Sequence, residues 1–348
     1  MTRRRKACVQ LVTDQPDVLI IGAGIAGLTA ARELATLGKR ALVLDKGRSA
    51  GGRLETRRVG EGAADTGAQF FTTRTPEFEA AVAEWVREGL VFEWSRGWSD
   101  GSLLTVREGH PRYAVKGGMS RLAEVLADGV AVELLKVVTT VRRVPGGWQA
   151  ELANGETTRA PAVLLTPPVP QSLELLDAGG VALPFDEREA LERIEYAPCI
   201  CGLFTLSQPI ELPSPGAVQR PHANLHWIAD NQRKGLSPNA AVITAQASNA
   251  YSRALWSASD EVIISAMKLD LLPFLDDDTT VLNGEIRRWR YAAPMRIFPD
   301  PALLTAITLD GEGSAALAFA GDAFGEARVE GAYLSGMAAA HKLAALIP

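Results

Sequence analysis

Residues that build metal and disulfide centres are scarce in this chain of 348 residues. Its three cysteines, Cys8, Cys199 and Cys201, are odd in number, which does not suit a disulfide framework. Cys199 and Cys201 flank one residue, so on a strand they share a face and fill core rather than bind an ion. His222 and His226 have the spacing of two ligands on a helix turn, yet the glutamate of an HExxH motif is absent and Pro221 precedes them. No metal site is expected. A net charge of -5 leaves no excess of Lys and Arg to replace phosphate counterions, which excludes a general nucleic-acid binder. No apolar run approaches the length of a membrane span, so a soluble, cytoplasmic protein with no membrane partner is expected. Arg3, Arg4, Arg5 and Lys6 imitate a twin-arginine export signal, but "ACVQLVTDQP" after them carries Asp14 and Pro16 and no sustained apolar run. Residues 1–16 are therefore read as a disordered basic arm. There is no internal repeat or low-complexity stretch, and nothing sets the number of subunits.

What is present is an ordinary globular composition, 47% hydrophobic and 22% charged, long enough for two domains. "DVLII" is a short β-branched run bounded by glycine, as for a strand buried on both faces. Gly22, Gly24 and Gly27 follow as GxGxxG. "IAGLTAARELATLG" then spaces Ile25, Leu28, Ala31, Leu34 and Ala35 as a helix, with Gly38 as its stop. "RALVLD" reads as a second buried strand ending in Asp45. Gly22 permits the tight turn, Gly24 lets backbone N–H groups approach a pyrophosphate, and Gly27 lets the helix pack on the strand. Asp45 lies 18 residues beyond Gly27, placed to accept hydrogen bonds from ribose hydroxyls and to disfavour a 2′-phosphate.

The segments beyond Asp45 favour FAD over NAD. "GRSAGGRLETRR" adds a second glycine pair, Gly51 and Gly52, with Arg53 to grip a longer-reaching pyrophosphate from another side. "ADTGAQFF" offers Gly67 and Ala68 for close approach to a flat ring. Near the C-terminus, "AALAFAGDAFGEARVEGAYLSG" reads as a strand, a Gly321–Asp322 turn and a helix from about Val329. Asp322 could accept from a ribityl or phosphate-linked hydroxyl, and the helix start near Glu330 and Gly331 could stabilise negative charge on a reduced flavin. Read without a ligand, this is simply the last strand and helix of the sheet.

"LDKGRSAGGRLETRR", "DTGAQFFTTRTPEF", "GGMSRLAEVLA", "LLTPPVPQSLELL", "WRYAAP" and "AGDAFGEARVEGAYLSG" occur in an order that resembles the FAD-dependent amine oxidase-like superfamily, and within it the bacterial renalase-like flavoproteins. The resemblance implies an α/β Rossmann-like FAD-binding domain of the glutathione-reductase/amine-oxidase type, with an inserted α+β substrate domain built on a mixed β-sheet. Its segments would be 17–75, 117–169 and 300–348 for the FAD-binding domain, and 76–116 and 170–299 for the substrate domain. The residues agree independently. "VAVELLKVVTTVRRVPGGWQAELANGE" alternates as strands with turns at Pro145-Gly146-Gly147 and Asn154-Gly155, and "APAVLLTPP" is a buried strand stopped by Pro167 and Pro168. Carried onto matching positions, the resemblance implies cofactor contacts at Gly22, Gly24, Ile25, Ala26, Gly27, Asp45, Lys46, Gly52, Arg53, Gly67, Ala68, Gln69, Val138, Thr166, Gly321, Asp322, Val329 and Gly331. Val138 would meet the adenine through its backbone, and Gln69 and Phe70 would lie near the flavin and the substrate.

The resemblance further implies oxidation of isomeric dihydro forms of NAD or NADP, with oxygen reduced to hydrogen peroxide. Hydride leaving a dihydropyridine creates an aromatic pyridinium, so the protein need not remove a proton, and no catalytic base stands out. An amine oxidase must instead favour a neutral amine among aromatics, and aromatic residues are only 6% of this chain. Trp289 and Tyr291 alternate on a strand and would face one side, either stacking near flavin and nicotinamide or filling core. Arg287, Arg288, Arg290 and Arg296 could meet a dinucleotide's phosphates or form a solvated face. FAD is expected to be held without a covalent bond; on spacing alone His341 and Tyr333 stay open as attachment points. Two alternatives stand beside the dihydronicotinamide oxidase: an amine oxidase or desaturase-like enzyme, and a non-catalytic flavin-binding scaffold.

Overall fold

Val18–Ile21, four consecutive apolar residues buried on both faces, run through the interior of a six-stranded sheet. The computed structural model describes residues 15–101, 109–309, 311 and 313–347, so the arm expected over 1–16 lies outside the described residues except at Gln15 and Pro16. The sheet runs in the order Leu303–Thr308, Ser314–Phe319, Ala162–Leu165, Val18–Ile21, Ala41–Leu44 and Ala131–Glu133. Its pairings are parallel apart from the edge strand Leu303–Thr308, which returns antiparallel along Ser314–Phe319. The crossover from Val18–Ile21 to Ala41–Leu44 is the helix Ile25–Thr36, as parallel neighbours require. All six strands fall within 17–75, 117–169 and 300–348.

One face of this sheet carries the helices Ile25–Thr36, Met119–Ala127 and Val329–Ala344. The first and last touch backbone to backbone: a Cβ on Gly336 would collide with the carbonyl of Ala26. The other face carries the helices Val169–Ala178 and Phe185–Glu192 and a three-stranded antiparallel sheet whose Trp148 is wholly buried.

A separate five-stranded sheet holds Ala217–Gln219, Leu225–Asp230, Val242–Ala247, Tyr196–Leu206 and Val281–Pro294, in that order. Its strands pair antiparallel, and Ser99 adds one parallel bridge to the edge at Val218. The helices Asn249–Leu255 and Asp260–Leu271 cover one face. Packing distributes the inserted segments between the halves. Helix Pro76–Arg87 buries Phe78, Val82 and Trp85 in the same core as Leu28, Leu34 and Ala340 beside the six-stranded sheet. Leu173, Leu176, Leu191 and Ile194 likewise pack on Leu19, Leu165 and Phe319. Parts of 76–116 and 170–299 therefore share the cores of the six-stranded sheet, because their amphipathic helices find their apolar partners on it.

Candidate active site

The glycine-rich turn shows what each glycine is for. Gly22 sits at φ +102°, and a Cβ there would strike Thr166 Oγ1; a Cβ on Gly27 would collide with the carbonyl of Gly22. Gly24, at φ -74°, is different: a Cβ would meet nothing within 4 Å. Packing demands Gly22 and Gly27, whereas at Gly24 the missing side chain leaves open space at the amide-donating end of helix Ile25–Thr36. The second glycine pair lies against the first, with Gly51 N donating to Ala23 O at 2.8 Å. Asp45 is fixed by two backbone donors, Ala23 N and Gly47 N, each at 2.6 Å. Each of its oxygens keeps further acceptor capacity.

Two cavities flank this turn, each within the size range of small-molecule sites. The first, about 670 Å³, is lined among others by Gly24, Ile25, Ala26, Gly67, Ala68, Phe70, Gly321, Asp322 and Val329. The second, about 870 Å³, is lined among others by Gly22, Asp45, Lys46, Gly52, Val138 and Tyr291. Gly24, Arg53, Thr166 and Trp289 line both, where the two cavities meet. The expected contacts thus sort into two compartments that adjoin at the turn. Three line neither cavity: Gly27, Gly331 and Gln69, whose amide is turned inward. Gly331 is required by packing, since a Cβ there would collide with the carbonyl of Glu326. Tyr291 opens on the second cavity, with its ring edge-on to Tyr196 at 5.5 Å, and is not in the lining of the first. Arg287 and Arg288 pair with Glu55 and Asp260, and Arg287 stacks 4.3 Å over Trp289.

At that junction Arg53 meets Asp322 through two hydrogen bonds of 2.6 Å and also donates to the carbonyls of Tyr291 and Ala292. Both oxygens of Asp322 are therefore engaged by a guanidinium, and, as at Asp45, each keeps acceptor capacity for the cofactor hydroxyl expected of it. Burial opposes the charge on Arg53, but the adjoining carboxylate outweighs it and holds the group firmly protonated.

The loop from Asp65 to Phe71 supplies Gly67, Ala68 and Phe70 to the first cavity, and the five-stranded sheet grips it. Asp65 O accepts from Gln69 Nε2 at 2.7 Å and Thr244 Oγ1 at 3.1 Å. Thr66 O accepts from Trp289 Nε1 at 3.0 Å, and Gly67 O accepts from Gln246 Nε2 at 2.7 Å. Gly67 itself has no room for a side chain, because a Cβ would collide with the carbonyl of Arg53. Below the loop lies a fully buried ion pair: Lys234 Nζ donates to Asp65 Oδ2 and to Gln69 O, both at 2.7 Å, and stands 4.6 Å from the centre of the Trp94 ring. Asp65 also accepts from Met119 N at 2.9 Å. Trp289 is half-buried, lines both cavities and braces the loop. Trp289→Phe, which keeps the ring but removes the donor, should cost about 1 kcal/mol. Urea unfolding checks this as a lowered midpoint with an unchanged slope.

The rest of the first cavity was invisible to motif reading. Arg74, Arg112, Gln219, His226, Gln246, Asn249, Cys199 and Arg328 all line it. His226 lies on the strand Leu225–Asp230, so it does not form a helix-turn pair with His222, and no metal-binding cluster occurs among the described residues. Burial lowers its pKa and holds the imidazole neutral at neutral pH. Burial pushes the Cys199 thiol up to about 12, and Cys201 well above its usual range. Both stay protonated, so neither is a nucleophile. No helix among the described residues is long and apolar enough to cross a membrane.

Known proteins match this arrangement at several levels. Residues 89–344 match the family described as flavin containing amine oxidoreductase, and residues 20–85 match the NAD(P)-binding Rossmann-like domain. Wild-type putrescine oxidase bound to putrescine superposes with a TM-score of 0.68 at 15% identity, over 95% of this chain and 99% of that one. A double mutant of putrescine oxidase, redesigned in cofactor binding, gives 0.67 at 16% identity over the same shares. At these identities the likeness is one of fold. A stretch of 45 residues is 56% identical to an inactive all-trans-retinol 13,14-reductase of Danio rerio, covering 13% of this chain. Another of 64 residues is 44% identical to lysine-specific histone demethylase 1 homolog 1 of Arabidopsis thaliana, covering 17% of this chain. Each match spans 8% of the curated relative's length.

Proposed function

The chain belongs to the flavin containing amine oxidoreductase family, and from that membership we propose that it is an FAD-dependent oxidase of isomeric dihydro forms of NAD or NADP. The residues fit the cofactor. Gly24 leaves open space at a helix start, Asp45 and Val138 border the second cavity, and the Gly67–Phe70 wall borders the first. When bound without a covalent link, the flavin supplies a hydride acceptor and a route for two electrons to oxygen.

The observation that carries the choice of substrate is the charge of the first cavity. Besides Arg53, its lining holds Arg74, Arg112 and Arg328, and its acidic member among the described residues is Asp322. That carboxylate is bound on both oxygens by Arg53. An ammonium substrate would find three further guanidiniums and no unengaged carboxylate, whereas a dinucleotide brings the anionic phosphates such a lining attracts. The overall balance needs no base on the substrate: hydride leaves the dihydropyridine, which becomes NAD(P)+, and oxygen takes the two electrons with that proton and one from solvent to give hydrogen peroxide. The task left to the chain is to hold the ring in place and exclude competitors.

Anaerobic stopped-flow mixing tests the proposal. Flavin absorbance near its visible maximum should bleach rapidly with a dihydro-NAD isomer and stay unchanged with putrescine or other primary amines. Bleaching by amines alone would make this an amine oxidase, and bleaching by neither would leave a flavin-binding scaffold.

A further inference from the structure

We infer that Arg74, Arg112 and Arg328 form an anion subsite in the first cavity that takes a phosphate or pyrophosphate group of the substrate, with Arg328 the specificity-determining residue. This deepens the oxidase reading and rests on it for the substrate's identity, but the subsite can be tested with pyrophosphate alone.

Three remote parts of the chain bring these guanidiniums to one cavity: the segment after Phe71, the strand Arg112–Val115 and the start of helix Val329–Ala344. Among the described residues their charge is not balanced. Arg74 and Arg328 share one carboxylate, Glu326, at 3.5 and 2.9 Å. Arg112 pairs with no carboxylate among the described residues; its guanidinium lies 5.8 Å over Trp98 and donates to the carbonyl of His110. Partial burial opposes its charge. The other ionisable neighbours do not supply one. Asp322 is held by Arg53. Glu330 faces the backbone, where its Oε1 accepts from Arg74 N at 3.0 Å, Thr75 N at 2.8 Å and Thr75 Oγ1 at 2.8 Å.

Those last bonds fix the backbone from which Arg74 projects. Glu330 is completely buried and clamps the backbone that presents Arg74. Arg328 carries a second mark: its φ of +130° is a region that favours glycine, yet an arginine occupies it. A conformation that a glycine would adopt without strain is kept for a side chain whose planar donors match phosphate oxygens two at a time.

Titration calorimetry of fully flavin-loaded protein with inorganic pyrophosphate tests this, because the nucleotide cavity is then already filled. Arg328→Gly removes the guanidinium while its backbone is unstrained at +130°, so fold and flavin content should persist. Arg112→Gln is the second variant. Each should weaken pyrophosphate binding about tenfold or more, and wild-type binding should fall steeply with salt. Failure of the wild type to bind pyrophosphate, or equal affinity in wild type and both variants, overturns the subsite; the second result would follow if these groups served only the flavin. With turnover as the readout, kcat/KM for dihydro-NAD relative to the phosphate-free dihydronicotinamide riboside should fall about tenfold in either variant, and an unchanged ratio overturns the subsite. If neither compound is oxidised by the wild type, the oxidase reading fails while the pyrophosphate titration still decides the subsite.

Discussion

Gly24→Val protein is expected to be folded, soluble and colourless. A Cβ at this position meets nothing within 4 Å, and the backbone already lies at φ -74°, where any residue is comfortable. The valine therefore leaves the fold alone and fills the space beside the first amides of helix Ile25–Thr36. Phosphate oxygens kept from those donors lose several charge-assisted hydrogen bonds, which corresponds to a loss of flavin affinity of about a hundredfold or more. Absorbance of the purified protein and its circular dichroism together read the result. Gly27→Val is the contrasting control, because its side chain would drive into the carbonyl of Gly22 and should yield unfolded chain. Yellow Gly24→Val protein with the normal flavin content would show that no phosphate approaches this turn.

Lys234→Met should be the most destabilising single change at the join between the two sheets. It strands the buried carboxylate of Asp65, 169 residues away in sequence, and removes the donor to Gln69 O. Breaking one side of a fully buried pair costs about 3–5 kcal/mol. Urea unfolding of flavin-loaded protein at fixed flavin concentration measures it. Asp65→Asn in the same chain should recover part of the loss, because the amide is neutral and its oxygen can still accept from Met119 N. An unchanged midpoint for Lys234→Met would mean that the pair does not couple the loop to the sheet beneath it.

How much of this was legible beforehand depends on distance along the chain. From Asp17 to Asp45 strand, turn, helix, strand and acid follow one another, and each spacing is set by local geometry, so the nucleotide half could be read residue by residue. Gln69 could not, because alternation along "GAQFF" does not say whether an amide faces a cavity or braces the carbonyls of Asp65 and Gly67. Tyr291 shows the same limit: it shares the second cavity with Trp289, as alternation implies, but alternation does not say that Trp289 alone of the two also lines the first. Arg74, Arg112 and Arg328 are unremarkable in sequence, since only tertiary packing reveals that they converge and that Glu326 is divided between two of them. Lys234 looks like any surface lysine until the fold places Asp65 and the Trp94 ring around it. The helices Pro76–Arg87 and Val169–Ala178 could be located by pattern, but an amphipathic stripe does not name the sheet that will cover it.

The junction formed by Gly24, Arg53, Thr166 and Trp289 has a thermodynamic corollary. Groups that fill the two compartments, whether parts of one cofactor or of two molecules, meet the same four residues, so the free energy of occupying one compartment depends on whether the other is full. Linkage makes that dependence reciprocal: whatever factor one occupant contributes to the affinity of the second, the second returns to the first.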